Sequence, residues 1–229
     1  AERSGLQRRV DVVFRLYDDG LGFRYEFPDQ AALKQVKIGE ELTEFNIAEA
    51  ATAWWIPAGE WNREEYLYHR TPVQEVGDAQ TPMTLRTDDG LHLSIHEAAL
   101  VDYASMTLRM VGDNTKTLKV DLVPWPNGDK VRTAAPMQSP WRTIQIAPKA
   151  IDLLNSYLTL NLNEPPKPEA INTDSSYIKP GSYIKPGKYM GIWWEMHAGV
   201  SSWDYAGTQD GTFDRENLKP SGKHGGASI

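Results

Sequence analysis

The sequence has 229 residues, which is enough for one large domain or two small ones. It carries 24 basic and 31 acidic side chains, a formal net charge of −7. This balance argues against a nucleic-acid-binding protein, because phosphate contacts need a basic surface. Cysteine is absent, which excludes disulfide scaffolds, thiolate zinc sites and cysteine nucleophiles. No stretch approaches the roughly 20 apolar residues that span a bilayer, so we expect no membrane span.

The chain begins with the pattern of a β-hairpin over residues 9–27. Val10, Val12, Phe14 and Leu16 alternate with other residues, which is typical of a half-buried strand, and Asp18-Asp-Gly20 is a turn signal. The same pattern predicts further strands over residues 84–87, 91–95, 105–111, 117–122, 141–146 and 158–162. Short helices are expected over residues 151–154 and 30–34. Many short strands with regular turns predict a mainly β fold, a sandwich, over residues 1–165.

The composition changes at Asn163-Glu-Pro-Pro-Lys-Pro168, since this proline-rich segment cannot continue a central strand. We therefore predict a domain boundary there and a linker over residues 166–188. The linker contains a tandem duplication, Ser176-Tyr-Ile-Lys-Pro-Gly181 repeated as residues 182–187, to which we assign no function. Residues 189–196 form a continuous apolar run, typical of a strand buried on both faces of a parallel sheet. Residues 189–229 are thus predicted to begin a second domain that is incomplete.

Glu97 stands out because it continues an apolar series. Leu91, Leu93 and Ile95 share one face of a predicted strand, and Glu97 follows at the same spacing. A buried carboxylate needs a partner, because an unpaired buried charge is very costly. That partner is either a hard cation such as calcium, which takes six to eight oxygen ligands, or an arginine or backbone amides; a bulge that turns the side chain outward is a further possibility. Spacing alone favours the structural explanations over the calcium ligand.

His92 and His96 are four residues apart, which on a helix would resemble a zinc pair. On a strand the same spacing separates them by roughly 13 Å, too far for one ion. We interpret both as surface histidines.

Aromatic side chains form three clusters that are candidates for sugar binding: Trp54 with Trp55, Trp61 with Tyr66 and Tyr68, and Trp193 with Trp194. Flat aromatic faces suit the apolar C–H faces of sugar rings, but aromatics are also common core residues. For Trp54 and Trp55 core packing is favoured. Trp193 and Trp194 lie towards the carboxyl end of a predicted parallel strand, where barrel active sites are built, and both interpretations stay open for them.

Several segments together resemble one known family, and they occur in the same order along nearly the whole chain. The segments are His96-Glu-Ala-Ala-Leu-Val-Asp-Tyr103, Ser139-Pro-Trp-Arg-Thr-Ile144, Asp152-Leu-Leu-Asn-Ser156, Leu160-Asn-Leu-Asn-Glu-Pro165 and Tyr183-Ile-Lys-Pro-Gly-Lys-Tyr-Met-Gly-Ile-Trp-Trp194. The chain thereby resembles glycoside hydrolase family 97, bacterial α-glucosidases and α-galactosidases associated with the periplasm or cell surface. The duplicated Ser-Tyr-Ile-Lys-Pro-Gly segment departs from the family pattern.

The resemblance implies a fold and an activity. It implies that residues 1–165 form an amino-terminal β-super-sandwich and that residues 189–229 begin a (β/α)8 barrel, truncated here. It also implies that Glu97 reaches towards the barrel as a calcium ligand, with barrel glutamates completing the site. Trp193 or Trp194 would help to line a pocket for an α-linked oligosaccharide. The family's catalytic carboxylates would lie beyond Ile229, so the resemblance places no catalytic residue in this chain, and we expect the 229 residues alone to be inactive.

A second hypothesis is a non-catalytic carbohydrate-binding sandwich. It would present Trp54, Trp55 and Trp61 as exposed aromatics on a flat face. The buried strand predicted over residues 189–196 argues against it, because a free-standing module would not need such a strand.

Overall fold

The computed structural model describes residues 5–59 and 66–165, and this part of the chain is mainly β as predicted. The strands are β1 (Asp11–Tyr17), β2 (Gly20–Phe27), β3 (Gln35–Ile38), β4 (Glu44–Asn46), β5 (Ala51–Trp55), β6 (His69–Pro72), β7 (Asp78–Gln80), β8 (Met83–Thr87), β9 (His92–Ala98), β10 (Met106–Met110), β11 (Thr117–Leu122), β12 (Val131–Ala134), β13 (Met137–Gln138) and β14 (Trp141–Ala147). A 3-10 turn covers Val73–Glu75, and two short helices follow the last strand, α1 (Ala150–Leu154) and α2 (Leu158–Leu162).

Within the described residues, two sheets form a sandwich around the main core. The larger sheet has the order β1-β2-β14-β9-β8-β5-β6, with β13 also paired to β2, and the smaller has the order β4-β11-β10-β7. Apolar side chains from both sheets meet between them; the fully buried ones include Met83, Leu85, Ile95, Leu108, Leu118 and Val120. The opposite face of the larger sheet carries a second apolar cluster, made by Ala98, Trp141, Leu158 and Leu162.

The predicted hairpins are confirmed where Asp and Gly mark the turns. β1 and β2 pair in antiparallel register from Asp11 opposite Glu26 to Tyr17 opposite Gly20. Gly20 has a φ of +146°, and a Cβ atom there would lie 2.1 Å from the carbonyl oxygen of Ile144. Only glycine fits this position, because it tolerates the conformation and leaves room for the neighbouring strand.

Two predicted elements are wrong. Residues 158–162, predicted as a strand, form α2, in which Leu158 and Leu162 lie one helical turn apart and pack against Trp141. Leu158, Leu160 and Leu162 alternate, which suggested a strand, but Leu160 is exposed in the structure. Residues 30–34, predicted as a helix, instead contain an isolated bridge between Gln30 and Leu33.

β1 differs from the half-buried strand that its alternation predicted. Val12, Phe14 and Leu16 are 49%, 59% and 77% exposed, respectively. β1 is the edge strand of the larger sheet, and in the described part of the chain β2 is its only neighbour. Alternation predicted which side chains share a face, but not whether another layer covers that face.

A tight turn between β11 and β12 is held together by Asp129. Its carboxylate contacts Lys37 at 2.9 Å, the Nε of Arg132 at 2.6 Å and the side-chain amide of Asn127 at 3.0 Å. The Lys37 hydrogen bond, followed by those from Asn127 and Arg132, lowers the pKa of Asp129 to about 2.

We expect Asp129→Asn to weaken the acid sensitivity of this domain. The folded pKa lies below the ordinary value of 3.8, so Asp129 stabilises the fold above that pH. The contribution is lost as the pH falls from about 4 towards about 2. Urea unfolding between pH 2 and pH 6 should show a shallower loss of stability for Asp129→Asn than for the wild type. Asp29→Asn, which removes an exposed pair with Lys34, is the control and should change the profile less; an equal change in the two variants would contradict the role of the turn.

The predicted linker over residues 166–188 and the predicted barrel start over residues 189–229 lie outside the described residues, as do Trp61, Trp193 and Trp194. These parts of the domain prediction therefore stay predictions. Over the residues that are described, no helix combines the length and the apolar character needed to cross a membrane.

Candidate functional site

Glu97 lies inside the sandwich, on the face of β9 that points towards the smaller sheet. It is 6% exposed, and the residue directly opposite it on the neighbouring strand β14 is Arg142, which has no exposed surface. Directly opposite residues of paired strands project from the same face of a sheet. The two charged side chains therefore meet in the interior.

Arg142 is held by two carboxylates. Its Nε and Nη2 atoms donate to the two oxygens of Glu41 at 2.8 and 2.6 Å, and its Nη1 donates to Glu97 Oε2 at 2.7 Å. The other oxygen of Glu97 accepts the backbone N–H of Met106 at 3.0 Å, where β10 begins. We call Glu41, Glu97 and Arg142 the Arg142 cluster. Two parallel hydrogen bonds from one guanidinium to one carboxylate, as between Arg142 and Glu41, fix the geometry of the ion pair as well as strengthening it.

A shell of hydroxyl groups surrounds Glu41. Thr43 Oγ1 donates to Glu41 Oε1 at 2.8 Å, and the hydroxyl of Tyr25 lies 2.7 Å from Thr43 Oγ1. The Arg142 guanidinium lies 5.7 Å from the ring centroid of Tyr103. Burial raises the pKa of the Tyr103 hydroxyl, and the negative charge of Glu41 adds to this effect. Tyr103 therefore stays neutral and adds no charge to the cluster.

The Arg142 cluster contains two carboxylates and one guanidinium, so with both acids ionised its formal charge is −1. Burial opposes the charge on Arg142, but the hydrogen bond and charge of Glu41, followed by the charge of Glu97, raise the pKa of the guanidinium. Burial also raises the pKa of Glu97, although the Met106 amide and Arg142 act in the opposite direction. Arg142 makes two hydrogen bonds to Glu41 and one to Glu97, so Glu97 is the carboxylate that the guanidinium compensates less fully.

The donor chemistry of the cluster fits one calcium ligand, not a complete calcium site. Calcium takes six to eight oxygens, and no group of three or more histidine, aspartate or glutamate side chains is placed to hold a metal within residues 5–59 and 66–165. From the residues that the structure describes, each Glu97 oxygen accepts one hydrogen bond, whereas an ionised carboxylate has about four acceptor positions. A cation beside Glu97 would also balance the excess charge. Further ligands would have to come from outside the described residues.

The two histidines of β9 were predicted to lie on the surface, and this prediction is wrong, because both are half-buried. His96 Nδ1 lies 3.2 Å from Thr81 Oγ1, and burial lowers the pKa of His96. His92 Nδ1 is buried, with no hydrogen-bond partner among the described residues. The alternation along β9 suggested that the face carrying His92 and His96 is exposed to solvent. In the structure the short helices α1 and α2 contact β9, so this face is partly covered.

Trp54 and Trp55 do not form one flat platform. Successive strand residues point to opposite faces, and Trp55 is buried in the core at 8% exposure, with its ring stacked on His69 and its Nε1 donating to Thr71. Trp54 is half-buried on the other face, with the Arg70 guanidinium 5.5 Å from its ring. The core interpretation is confirmed for Trp55, and the exposed platform of the second hypothesis is wrong for this pair.

Comparison with known proteins gives the family. A profile described as Glycosyl-hydrolase 97 N-terminal matches residues 2–165. The chain belongs to glycoside hydrolase family 97. A family 97 enzyme from Pseudoalteromonas sp. strain K8 in complex with acarbose is 47% identical, with a TM-score of 0.69, and the match covers 85% of this chain. A variant of a family 97 enzyme from the same strain, in complex with panose, gives the same values.

The family 97 match concerns one part of longer proteins. The matched region covers 28% of each of those two enzyme chains. A β-arabinopyranosidase is also similar in structure, with 23% identity, a TM-score of 0.53 and coverage of 62% of this chain and 25% of its own. At that identity the likeness concerns the fold alone.

Sequence analysis of this family 97 chain did not assign roles to Glu41 or Arg142. Arg142 lies within one of the segments that resemble the family, and an arginine partner for Glu97 was one open alternative. A usable signal was present, since Arg142 continues the series of Ile144 and Ile146 on one face of β14, as Glu97 continues Ile95 on β9. Glu41 precedes β4 and carries no such signal, because only the packing of the two sheets brings it to Arg142.

Proposed function

We propose that the chain is the amino-terminal part of an exo-acting α-glycoside hydrolase, an α-glucosidase or α-galactosidase. The observation that carries this proposal is the 47% identity to a family 97 enzyme in complex with acarbose. The similar family 97 enzyme variant was solved in complex with panose, which like acarbose is an oligosaccharide. Because the chain spans only 28% of those enzymes, the activity is proposed for a longer parent protein. For that parent we also propose a bacterial periplasmic or extracellular location.

The proposal includes calcium as a cofactor, with Glu97 as one ligand. The excess negative charge of the Arg142 cluster and the remaining acceptor positions of Glu97 support it. Arg142 would hold the carboxylate in one orientation while ligands from the barrel complete the coordination. The ion would supply positive charge near the bound sugar. Trp193 and Trp194 are proposed to line the sugar pocket.

The test is Glu97→Gln in the parent-length protein. Loss of a charge-assisted ligand removes about 1.5–3 kcal/mol, so the calcium concentration that gives half-maximal activity should rise about 10- to 100-fold. Hydrolysis of 4-nitrophenyl α-glucoside and α-galactoside, measured across a calcium titration, gives this value and shows which sugar is preferred.

Glu41→Gln is the matched control, because it alters the other carboxylate of the same cluster. It should lower stability but shift the calcium dependence less than Glu97→Gln does. Unchanged calcium dependence in Glu97→Gln would contradict the role of Glu97, and absence of activity on both α-glycosides in the wild-type parent would contradict the proposed function.

A further inference from the structure

A surface groove beside the Arg142 cluster contains an exposed tryptophan that the proposed function does not use. The groove has a volume of about 430 Å³, and its walls include Asp102, Tyr103, Trp125, Pro126, Lys130 and Arg132. We call it the Trp125 groove. Its volume lies within the roughly 300–1,000 Å³ of small-molecule binding sites.

Trp125 is 58% exposed, yet its backbone is firmly held. Its N–H donates to the carbonyl of Asp129 at 2.7 Å, and its own carbonyl accepts the N–H of Gly128 at 2.8 Å. Pro124 and Pro126 flank it and restrict the backbone further. A large aromatic side chain is thus kept in the wall of a concave site by a rigid turn, and small-molecule sites are typically concave and lined by aromatic side chains with a few polar groups.

Polar groups with spare hydrogen-bonding capacity lie around the indole. Among the described residues, Arg132 uses its Nε for Asp129, which leaves the terminal nitrogens of the guanidinium as donors. The Arg132 guanidinium lies 5.9 Å from the Trp125 ring centroid. Asp102 is exposed, has a φ of +49° and forms no hydrogen bond or ion pair with the described residues. Lys130 differs, since Asp121 and the carbonyl of Leu122 engage its ammonium group.

This combination suits a neutral sugar better than an ion. The indole offers an apolar face for sugar C–H groups, while Asp102 can accept from hydroxyl groups and Arg132 can donate to them. One free carboxylate and one partly free guanidinium nearly cancel in charge, so the groove does not select an anion or a cation.

We propose that the Trp125 groove binds an α-linked oligosaccharide through residues of this domain alone. The class of ligand rests on the proposed function, whereas the groove itself is formed by described residues of this domain. The binding needs neither calcium nor the barrel. Its role would be to keep an oligosaccharide attached to the enzyme through the amino-terminal domain.

The test is calorimetric titration of the folded 229-residue chain with maltotriose, in the presence of a calcium chelator. The wild type should bind, and Trp125→Ala should weaken binding about tenfold or more, as expected when an aromatic anchor is truncated. Asp102→Asn should weaken binding to a smaller extent, since it keeps the shape and tolerates the positive φ. Trp54→Ala is the matched control, because Trp54 is a partly exposed tryptophan outside the groove, and it should bind like the wild type.

Several results would overturn the inference: no binding by the wild-type chain at millimolar maltotriose, equal binding by Trp125→Ala, or binding that is lost when calcium is removed. Binding by the 229-residue chain but not by an inactivated parent would also overturn it, because the groove would then be filled by the rest of the polypeptide. Failure here is separable from failure of the proposed function, since an active parent whose amino-terminal domain does not bind maltotriose contradicts only the groove.

Discussion

Arg142→Met is expected to lower the free energy of unfolding by about 3–5 kcal/mol, because removing one partner of a buried ion pair leaves an uncompensated buried charge. The loss should lie at the upper end, since Arg142 serves two carboxylates, Glu41 and Glu97, at 2.6–2.8 Å and has no exposed surface. Methionine keeps a similar volume, so the change isolates the charge and the hydrogen bonds. Urea unfolding at neutral pH measures the difference.

Arg109→Met is the matched control. Arg109 also contacts two carboxylates, Asp78 at 3.2 Å and Asp121 at 2.5 Å, but it is exposed. Exposed ion pairs contribute about 0–1 kcal/mol, so the control should lose no more than that. In the Arg142→Met background, Glu41→Gln combined with Glu97→Gln should restore part of the stability by removing the unpaired charges. Equal losses in the two arginine variants would contradict the account of the Arg142 cluster.

Trp141→Ala is expected to cost about 3–5 kcal/mol, the range for truncating a buried aromatic side chain. Trp141 is 1% exposed and lies between the larger sheet and α2, where it packs against Leu158 and Leu162. The guanidinium groups of Arg15 and Arg24 lie 4.8 and 4.4 Å from its ring centroid. Its removal therefore leaves a cavity beneath α2 and takes away the cation–π contacts on the same face.

Trp141→Phe separates packing from hydrogen bonding. Trp141 Nε1 has no hydrogen-bond partner in the described part of the chain, so phenylalanine loses no such bond and should cost less than about 1.5 kcal/mol. Trp125→Ala, at the exposed tryptophan of the groove, should stay within about 0.5 kcal/mol of the wild type. Thermal and urea unfolding measure all three variants, and a cost for Trp141→Phe as large as that for Trp141→Ala would show that packing is not the dominant contribution.

Local sequence signals predicted seven of the fourteen strands in the described residues but not the last short helix. The Asp18-Asp-Gly20 and Asp88-Asp-Gly90 turns, with alternating residues on each side, gave the correct hairpins. Residues 158–162 carried the same alternation and yet form a helix, because one turn of helix places Leu158 and Leu162 together on Trp141. For so short a segment the docking surface outweighs the period of the pattern.

Alternation along β9 placed Glu97 on an apolar face, and its burial confirms that inference. The same alternation places Arg142 on the inward face of β14, but Glu41 was not predictable by this means, since it lies 101 residues from Arg142 in sequence and outside any strand. The calcium ligand role of Glu97 stays a prediction, as do the sugar contacts of Trp193 and Trp194.

The amino-acid sequence by itself determined the mainly β class, most of the hairpins, the family and the position of Glu97 on an inward face, because these depend on neighbouring residues or on matching segments. Tertiary structure alone decided that Arg142 bridges Glu97 and Glu41, that Phe14 and Leu16 are exposed, and that Trp125 stands in a groove. The physical reason is that burial and ion pairing depend on which layers cover a strand. That covering is set by contacts between residues distant in the chain.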